Sequence, residues 1–228
     1  MEKTNGKAKL KIVKDGPYLV SGNVPLSEKI IVQRGKLNAY EEGRELPQAE
    51  GYALCRCGKS KNPPFCDGTH ARIGFNGTET ASREKYYQRA ELLEGPGIDL
   101  LDDGRCAFAR FCHREDGKAW DLTENSDQEK YKREAVQAAC DCPAGRLVAL
   151  EKTGRIIEPD YDPAIEIIQD PLQGTSGGIF VKGNIPIESA DGQLYEVRNR
   201  VALCRCGKSK NKPFCDAMHT RIEFIDEL

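Results

Sequence analysis

The chain has 228 residues, of which 39% are hydrophobic, 7% aromatic and 31% charged, with a formal net charge of −2. That length holds one or two ordinary domains or three small ones, and so few aromatics leave modest cores that need staples, metals or partners. The charge gives no case for a nucleic-acid partner, and no window approaches about 18 consecutive apolar residues, which excludes a transmembrane helix.

The opening MEKTNGKAKLKIVK carries no apolar run behind its charges, so no secretory leader is expected. The expected compartment is a reducing cytoplasm, where disulfides are uncommon and the ten cysteines read as metal ligands. The closing Ile225-Asp226-Glu227-Leu228 faintly matches a retention tail of the secretory route, which has no use without entry into that route.

Residues 10–26 (LKIVKDGPYLVSGNVPL) predict an alternating strand, a turn at Asp15-Gly16-Pro17 and a second strand. Residues 32–53, rich in Gly, Glu and Gln, read as a loop. The stretch 55–70, CRCGKSKNPPFCDGTH, then sets Cys55, Cys57, Cys66 and His70 at C-x-C-x8-C-x3-H, and a closing strand is expected in ARIGF behind it.

Residues 83–93 fit a helix or a strand, and Gly95-Pro96-Gly97 breaks whichever forms. A strand is expected at 98–101, a turn at Asp102-Asp103-Gly104, then Cys106 and Cys112, and a second strand in KAWDL around Trp120. Ser126 and Glu129 form a capping box for the clearest helix, with Tyr131, Ala135, Ala138 and Ala139 on one face. That helix delivers Cys140-Asp141-Cys142 and stops at Pro143; residues 144–158 read as a hairpin around Lys152-Thr153-Gly154.

Residues 165–187 repeat the pattern of 10–26, ending in Gly-Asn-Ile-Pro-Ile where the first copy ends in Gly-Asn-Val-Pro-Leu. At 204–219, CRCGKSKNKPFCDAMH, Cys204, Cys206, Cys215 and His219 return at the same spacing, followed by TRIEF as another expected strand. The repeated unit is therefore strand, turn, strand, connection, ligand loop and strand.

Three chemistries compete for the repeated motif: disulfides, a Cys3His zinc site, and an iron–sulfur cluster with one histidine ligand. Zinc sites usually start from a C-x2–4-C knuckle, whereas a single residue separates these first two cysteines. C-x-C suits one iron of a [2Fe–2S] rhomb, and Cys66 and His70, about one helical turn apart, could chelate the other. Pro64 limits the approach to that turn, and Asp67, with its counterpart Asp216, can accept backbone N–H bonds there.

Ser60 and Ser209 could bond either the bound group or their own turn. Arg56, Lys59, Lys61, Arg205, Lys208, Lys210 and Lys212 ring the motifs with positive charge, fit for an acidic redox partner or for a solvated face. A phosphate loop is rejected, because Ala53 and Ala202 stand where GKS would need its glycine. Gly68-Thr69 becomes Ala217-Met218 in the second copy, so either the position is right-handed in both or the second site is strained.

On these residues, C-x-C-x2-S-x3-P-x-C-D-G-T-H from Cys55 to His70 resembles the signature of the CDGSH iron–sulfur (NEET) family. The resemblance implies one [2Fe–2S] cluster on Cys55, Cys57, Cys66 and His70, and a second on Cys204, Cys206, Cys215 and His219. It also implies that two motifs pair, here within one chain, giving a monomer with an internal pseudo-twofold. A histidine ligand removes one negative charge, which eases reduction, and it can be protonated, which makes cluster retention sensitive to pH.

Residues from about 98 to 150 resemble the divergent single-cluster 4Fe–4S domain, through C-x5-C and a later Cys-Pro at Cys106, Cys112 and Cys142. This implies one [4Fe–4S] or [3Fe–4S] cluster; we add Cys140 as its fourth ligand, with His113 as the rival. Zinc and unmetallated packing remain alternatives there.

The expected fold is α+β, in small β-rich modules. A CDGSH-type domain at 1–82 and another at 159–228 pair as an intramolecular pseudo-dimer, a β-cap over cluster loops, around a ferredoxin-like insert at 83–158. The expected function is electron transfer, or cluster storage and transfer, toward a redox or cluster-acceptor protein. A zinc-stabilised binding scaffold and a redox subunit of a separate enzyme are the alternatives. The sequence shows no catalytic triad, nucleotide loop or spaced carboxylate pair, so no enzymatic site of its own is expected.

Overall fold

The computed structural model describes residues 8–226, so residues 1–7 of the leader reading and residues 227–228 of the tail reading lie outside the described residues. The first repeat forms Lys9–Ile12 (β1), Tyr18–Ser21 (β2), Leu26–Arg34 (β3), Leu37–Glu42 (β4), Gly51–Leu54 (β5) and the turn of helix Thr69–Arg72 (α1). The middle segment forms Tyr86–Arg89 (α2), Glu91–Glu94 (β6), Ile98–Asp102 (β7), His113–Arg114 (β8), Gly117–Lys118 (β9), Ala119–Glu124 (α3), Glu129–Cys140 (α4), Leu147–Glu151 (β10) and Ile156–Ile157 (β11). The second repeat forms Ala164–Asp170 (β12), Thr175–Lys182 (β13), Ile187–Glu188 (β14), Arg200–Leu203 (β15) and Met218–Arg221 (α5).

Helix is scarce and the sheets are small. Two of them are built jointly by the repeats, in the orders β14-β1-β2-β5 and β15-β13-β12-β3-β4. In each, antiparallel strands of one repeat accept a parallel strand from the other. β14 lies beside β1 with Ile187 opposite Leu10, and β3 lies beside β12 with Leu26 opposite Ile165. Leu10 and Ile165 hold equivalent places in the repeat, as do Leu26 and Ile187, so the exchange is reciprocal.

The crossing is made at Gly-Asn-x-Pro, where Asn23 and Asn184 take φ of +54° and +57°, a left-handed bend that asparagine tolerates better than most residues. Just beyond it, the carbonyls of Pro25 and Pro186 accept the N–H groups of Ile165 and Leu10. Alternation along the strands turns Leu10, Ile12, Val20, Ile165, Ile167 and Val181 into one shared apolar cluster. Each repeat thus buries its core against the other.

The middle segment has a separate sheet, β11-β10-β7-β6, covered by α3 and α4. Ile98, Leu100, Leu147 and Ala149 pack on Leu122, Ala135, Ala138 and Ala139, and the alanine face lets α4 approach the sheet closely. The expected strand at 98–101, the helix ending before Pro143 and the hairpin at 144–158 all appear.

Several local expectations are corrected. Residues 32–53 are not a loop: β3 runs through the β-branched Ile30-Ile31-Val32 and turns back as β4. KAWDL is helical, because Asp121 accepts the Lys118 N–H at 3.1 Å and caps a turn that buries Ala119 and Leu122. ARIGF and TRIEF are not strands; the Phe75 and Phe224 N–H groups each bond, at 2.9 Å, to the carbonyl of the preceding histidine, coiling the chain around it. Residues 83–93 are both, α2 followed by β6.

The capping box is also absent. Gln128 is the N-cap, and the Ser126 hydroxyl accepts the N–H groups of Gly97 at 2.9 Å and Ile98 at 3.2 Å, fastening the Gly-Pro-Gly turn to the helix. No helix among the described residues is long and apolar enough to cross a membrane. Ser126→Ala should cost about 1–3 kcal/mol by orphaning the buried Ile98 N–H and the part-buried Gly97 N–H. Glu129→Ala should cost under about 1 kcal/mol, since only its first-turn charge is lost. Denaturant midpoints of the two variants decide between a fastening serine and a capping serine.

Candidate metal centres

In each ligand loop the donors stand in two pairs. The sulfurs of Cys55 and Cys57 lie 3.7 Å apart and those of Cys204 and Cys206 lie 3.6 Å apart. Cys66 Sγ is 3.2 Å from His70 Nδ1, and Cys215 Sγ is 3.4 Å from His219 Nδ1. A tetrahedral metal with M–S of about 2.3 Å and M–N of about 2.0 Å spans about 3.7 Å between two sulfurs and about 3.5 Å between sulfur and nitrogen.

Each pair is therefore spaced to chelate one metal, and none is at the roughly 2.05 Å of a disulfide. Among the described residues, no three His, Cys, Asp or Glu side chains converge on a single ion position. The donors of each loop thus form two chelating pairs.

The loops are stapled identically. Cys55 N–H bonds to Pro64 O at 2.7 Å and Cys66 N–H to Ala53 O at 2.9 Å; Cys204 to Pro213 and Cys215 to Ala202 repeat this at 2.8 Å each. Of the two roles open to the serines, the structure shows the turn. Ser60 Oγ donates to Phe65 O at 2.6 Å and Ser209 Oγ to Phe214 O at 2.7 Å. Asp67 accepts the N–H groups of Lys61 and Thr69, and Asp216 those of Lys210 and Met218.

Arg56 and Arg205 correct the surface reading, being 2% and 3% exposed. Two cysteines that chelate from one side leave the residue between them on the other. Arg56 donates to the carbonyls of Gly16, Gly77 and Val13 at 2.8–3.0 Å. Arg205 donates to Gly177 and Ile168 at 2.8 Å and pairs with the buried Asp226. The same side-to-side reasoning could have found both arginines in the sequence.

The electrostatics favour one thiolate in each C-x-C pair, while burial holds Cys66 and Cys215 up. Cys57, then the N–H groups of Ser60, Gly58 and Lys59, bring the Cys55 thiol down to about 6 against the opposing effect of burial. Cys206, with the N–H groups of Ser209 and Gly207, brings Cys204 down to about 7. The second thiol of each pair is pushed up by the first, so full ionisation awaits a cation.

Gly68 and Ala217 are both left-handed, at φ +83° and +64°, and their N–H groups reach Cys66 and Cys215. The second site is thus the strained one, by about 1–2 kcal/mol. It is also the buried one: Cys215 is 4% and His219 2% exposed, while Cys66 and His70 are part-exposed. Burial, then Arg205, pushes the His219 imidazole down to about 4, keeping it neutral.

The two loops touch at their glycines. A Cβ on Gly58 (φ +69°) would stand 2.7 Å from Cys206 O, and one on Gly207 (φ +75°) 2.5 Å from Cys57 O. A side chain at either position forces the loops apart.

In the middle segment, Cys106, Cys112 and Cys142 line one cavity with Phe108, Trp120 and Arg146. The loop between the first two is bent by left-handed Phe108 (φ +58°) and Arg110 (φ +63°), strain of about 1–2 kcal/mol each. Burial raises the Cys112 thiol to about 11, with Cys142 and Cys106 adding to it.

Cys140 is not in this cavity; its sulfur lies 3.9 Å from Ile157 O. Cys140 is the last residue of α4, whereas Cys142 lies beyond the C-cap Asp141, so the two thiols leave the chain from different local structures. His113 is exposed and lines a different hollow with Asn38 and Gln173. The cavity gathers three thiols.

Paired chelating donors, repeated, together with a gathered set of thiols define an iron–sulfur cluster-binding protein. The family described as iron-binding zinc finger, CDGSH type, matches residues 15–71 and 176–220, and the family described as divergent 4Fe-4S mono-cluster matches 93–152 between them. Two CDGSH-type regions thus flank a region of the divergent 4Fe–4S type. No curated protein and no solved structure matches it.

Gly58→Ala or Gly207→Ala should cost at least about 2 kcal/mol, the left-handed penalty plus displacement of the facing carbonyl. Gly68→Ala, whose Cβ would meet nothing within 4 Å, should cost only about 1 kcal/mol. Urea denaturation of the loaded protein compares the three.

Proposed function

We propose that the protein is a one-electron carrier holding [2Fe–2S] clusters on Cys55, Cys57, Cys66 and His70 and on Cys204, Cys206, Cys215 and His219. A further cluster, [4Fe–4S] or [3Fe–4S], sits on Cys106, Cys112 and Cys142. The carrying observation is the pairing of donors at tetrahedral spacing in both loops. The reciprocal strand exchange supports an intramolecular pseudo-dimer, with the chain divided near residues 82 and 158 into two repeats and a ferredoxin-like insert.

The clusters supply reversible one-electron chemistry when bound; the chain supplies orientation, burial and access. Burial of the second site favours electron transfer over delivery of that cluster, since its ligands lie out of reach of an acceptor. The part-exposed Cys66 and His70 make the first site the exchangeable one.

Protein purified without air should be coloured, with about two irons and two sulfides per CDGSH site. Followed through its visible bands after an acid jump, colour should be lost in two phases. The fast phase belongs to the first site, because a proton reaches His70 more readily than His219. His70→Cys should remove that phase and His219→Cys should leave it. A colourless protein with stoichiometric zinc overturns the proposal in favour of a scaffold, and rapid transfer of both clusters to an apo-ferredoxin overturns it in favour of delivery.

A groove of about 700 Å³ runs beside the first site, lined by Cys57, Lys59, Phe75, Lys208, Lys210 and Lys212, with no carboxylate in its walls. It fits an acidic redox partner. Reduction by anionic dithionite should slow as salt rises, and Lys208→Glu with Lys210→Glu should slow it several-fold at low salt while speeding reduction by a cationic viologen. Equal salt dependence in wild type and variant removes the groove as the docking face.

A further inference from the structure

The two repeats share the backbone staples of their ligand loops and differ sharply where the insert meets them. β15, which leads into Cys204, begins with Arg200; β5, which leads into Cys55, has Gly51 at that place. Arg200 is 2% exposed, and its Nη1 donates to the carbonyls of Ala139, Cys140 and Cys142 at 2.7 Å each. Those carbonyls close the negative end of α4, where a cation is favoured, and Glu158 balances the buried charge at 2.9–3.0 Å. Gly145, just after Cys142, sits so near that a Cβ would stand 2.3 Å from Arg200 O.

The loop bearing Cys106 and Cys112 touches the first repeat through β3 and β4 rather than its ligand loop, where Asn38 donates to Ala109 O at 3.1 Å and Tyr40 stacks on Phe111, and it meets the ligand region of the second. Arg110 places both terminal nitrogens on the Asp170 carboxylate, at 2.7 and 2.9 Å, a bidentate pair with Asp170 buried. The first repeat has Asp15 at the equivalent place, but that carboxylate takes the Gly77 N–H at 2.8 Å. Ala107, Ala109 and Phe111 pack in one cluster with Cys215, Ala202 and Phe180. Arg105 lies 4.2 Å over the Phe214 ring, the residue before Cys215. Cys66, the counterpart of Cys215, is part-exposed instead.

We propose that Arg110 and Arg200 are positioning residues that fix the insert's three-thiol cavity against the second CDGSH site alone, so that these two sites form an electronically coupled pair. The first site then communicates with the insert only through the second, across the Gly58–Gly207 contact. This rests on the cluster assignments proposed above. Arg200 acts through carbonyls and Arg110 through a carboxylate, so neither touches a cluster.

The test is electron paramagnetic resonance of the anaerobically reduced protein, with iron and sulfide counted on the same samples. His70→Cys and His219→Cys variants shift the signal of one site each and so assign the two [2Fe–2S] spectra. In wild type, the second site should relax several-fold faster than the first, seen as a higher half-saturation power, while the insert is paramagnetic. Cys112→Ser, which empties the insert, should bring the second site down to the value of the first.

Arg110→Gln and Arg200→Lys should lower the enhancement with all clusters retained; lysine keeps the charge but has no second set of donors to hold Glu158 while it bonds the carbonyls. A full iron count with equal relaxation at both sites, or no response in either arginine variant, overturns this inference alone. An iron count lacking the insert's share overturns the underlying cluster assignment as well.

Discussion

Two thiols one residue apart can chelate one metal only from the same side, and that requirement sends the intervening side chain into the protein. Everything near the sites follows from filling that inward position with arginine. Arg56 and Arg205 each gather carbonyls from the strand-turn ahead of the loop and close on the segment behind the histidine. A guanidinium with five donors satisfies such a set, where lysine would leave carbonyls orphaned. The arginine thus ties the ligand loop, the strand-turn ahead of it and the segment behind the histidine to one another, the kind of support that precise ligand placement demands.

That unit is used twice in different surroundings. The first copy keeps glycine at the left-handed position and leaves Cys66 and His70 open to solvent. The second accepts the strain of Ala217 and is closed over by Phe224, the insert and Asp226. The extra burial around the second loop offsets a local penalty of about 1–2 kcal/mol. One motif therefore yields an accessible site and an enclosed one, and the difference comes from neighbours rather than ligands.

How much of this was legible in the sequence depended on how local the determining interaction is. The C-x-C-x8-C-x3-H ligands, the alternating strands and the alanine face of α4 are fixed by neighbours a few residues away, and they could be read. The exchange of β3 and β14 joins residues distant in the chain and leaves no periodic trace beyond Gly-Asn-x-Pro. KAWDL and ARIGF are short apolar patterns that suit either a strand or a turn of helix, and only packing against β7 or the histidine decides. Cys140 falls outside the three-thiol cavity because α4 runs as far as that residue, and a helix end does not present side chains as the extended C-x-C of the ligand loops does.

The same contrast explains why the insert lies where it does. A three-thiol cavity bent by left-handed Phe108 and Arg110 is costly to form alone, and the middle segment has only a small core of its own. Docking on the second repeat supplies what is missing: Asp170 takes up Arg110, Cys215 and its neighbours cover Ala107 and Ala109, and Arg200 closes the helix end. At the two equivalent places the first repeat has Gly51 and an already committed Asp15, and it adds only Asn38 and the Tyr40–Ile31 face of β3 and β4. The asymmetry of the molecule thus originates in two equivalent positions, Gly51 against Arg200 and Asp15 against Asp170, and the enclosure of the second site is a consequence of holding the insert together.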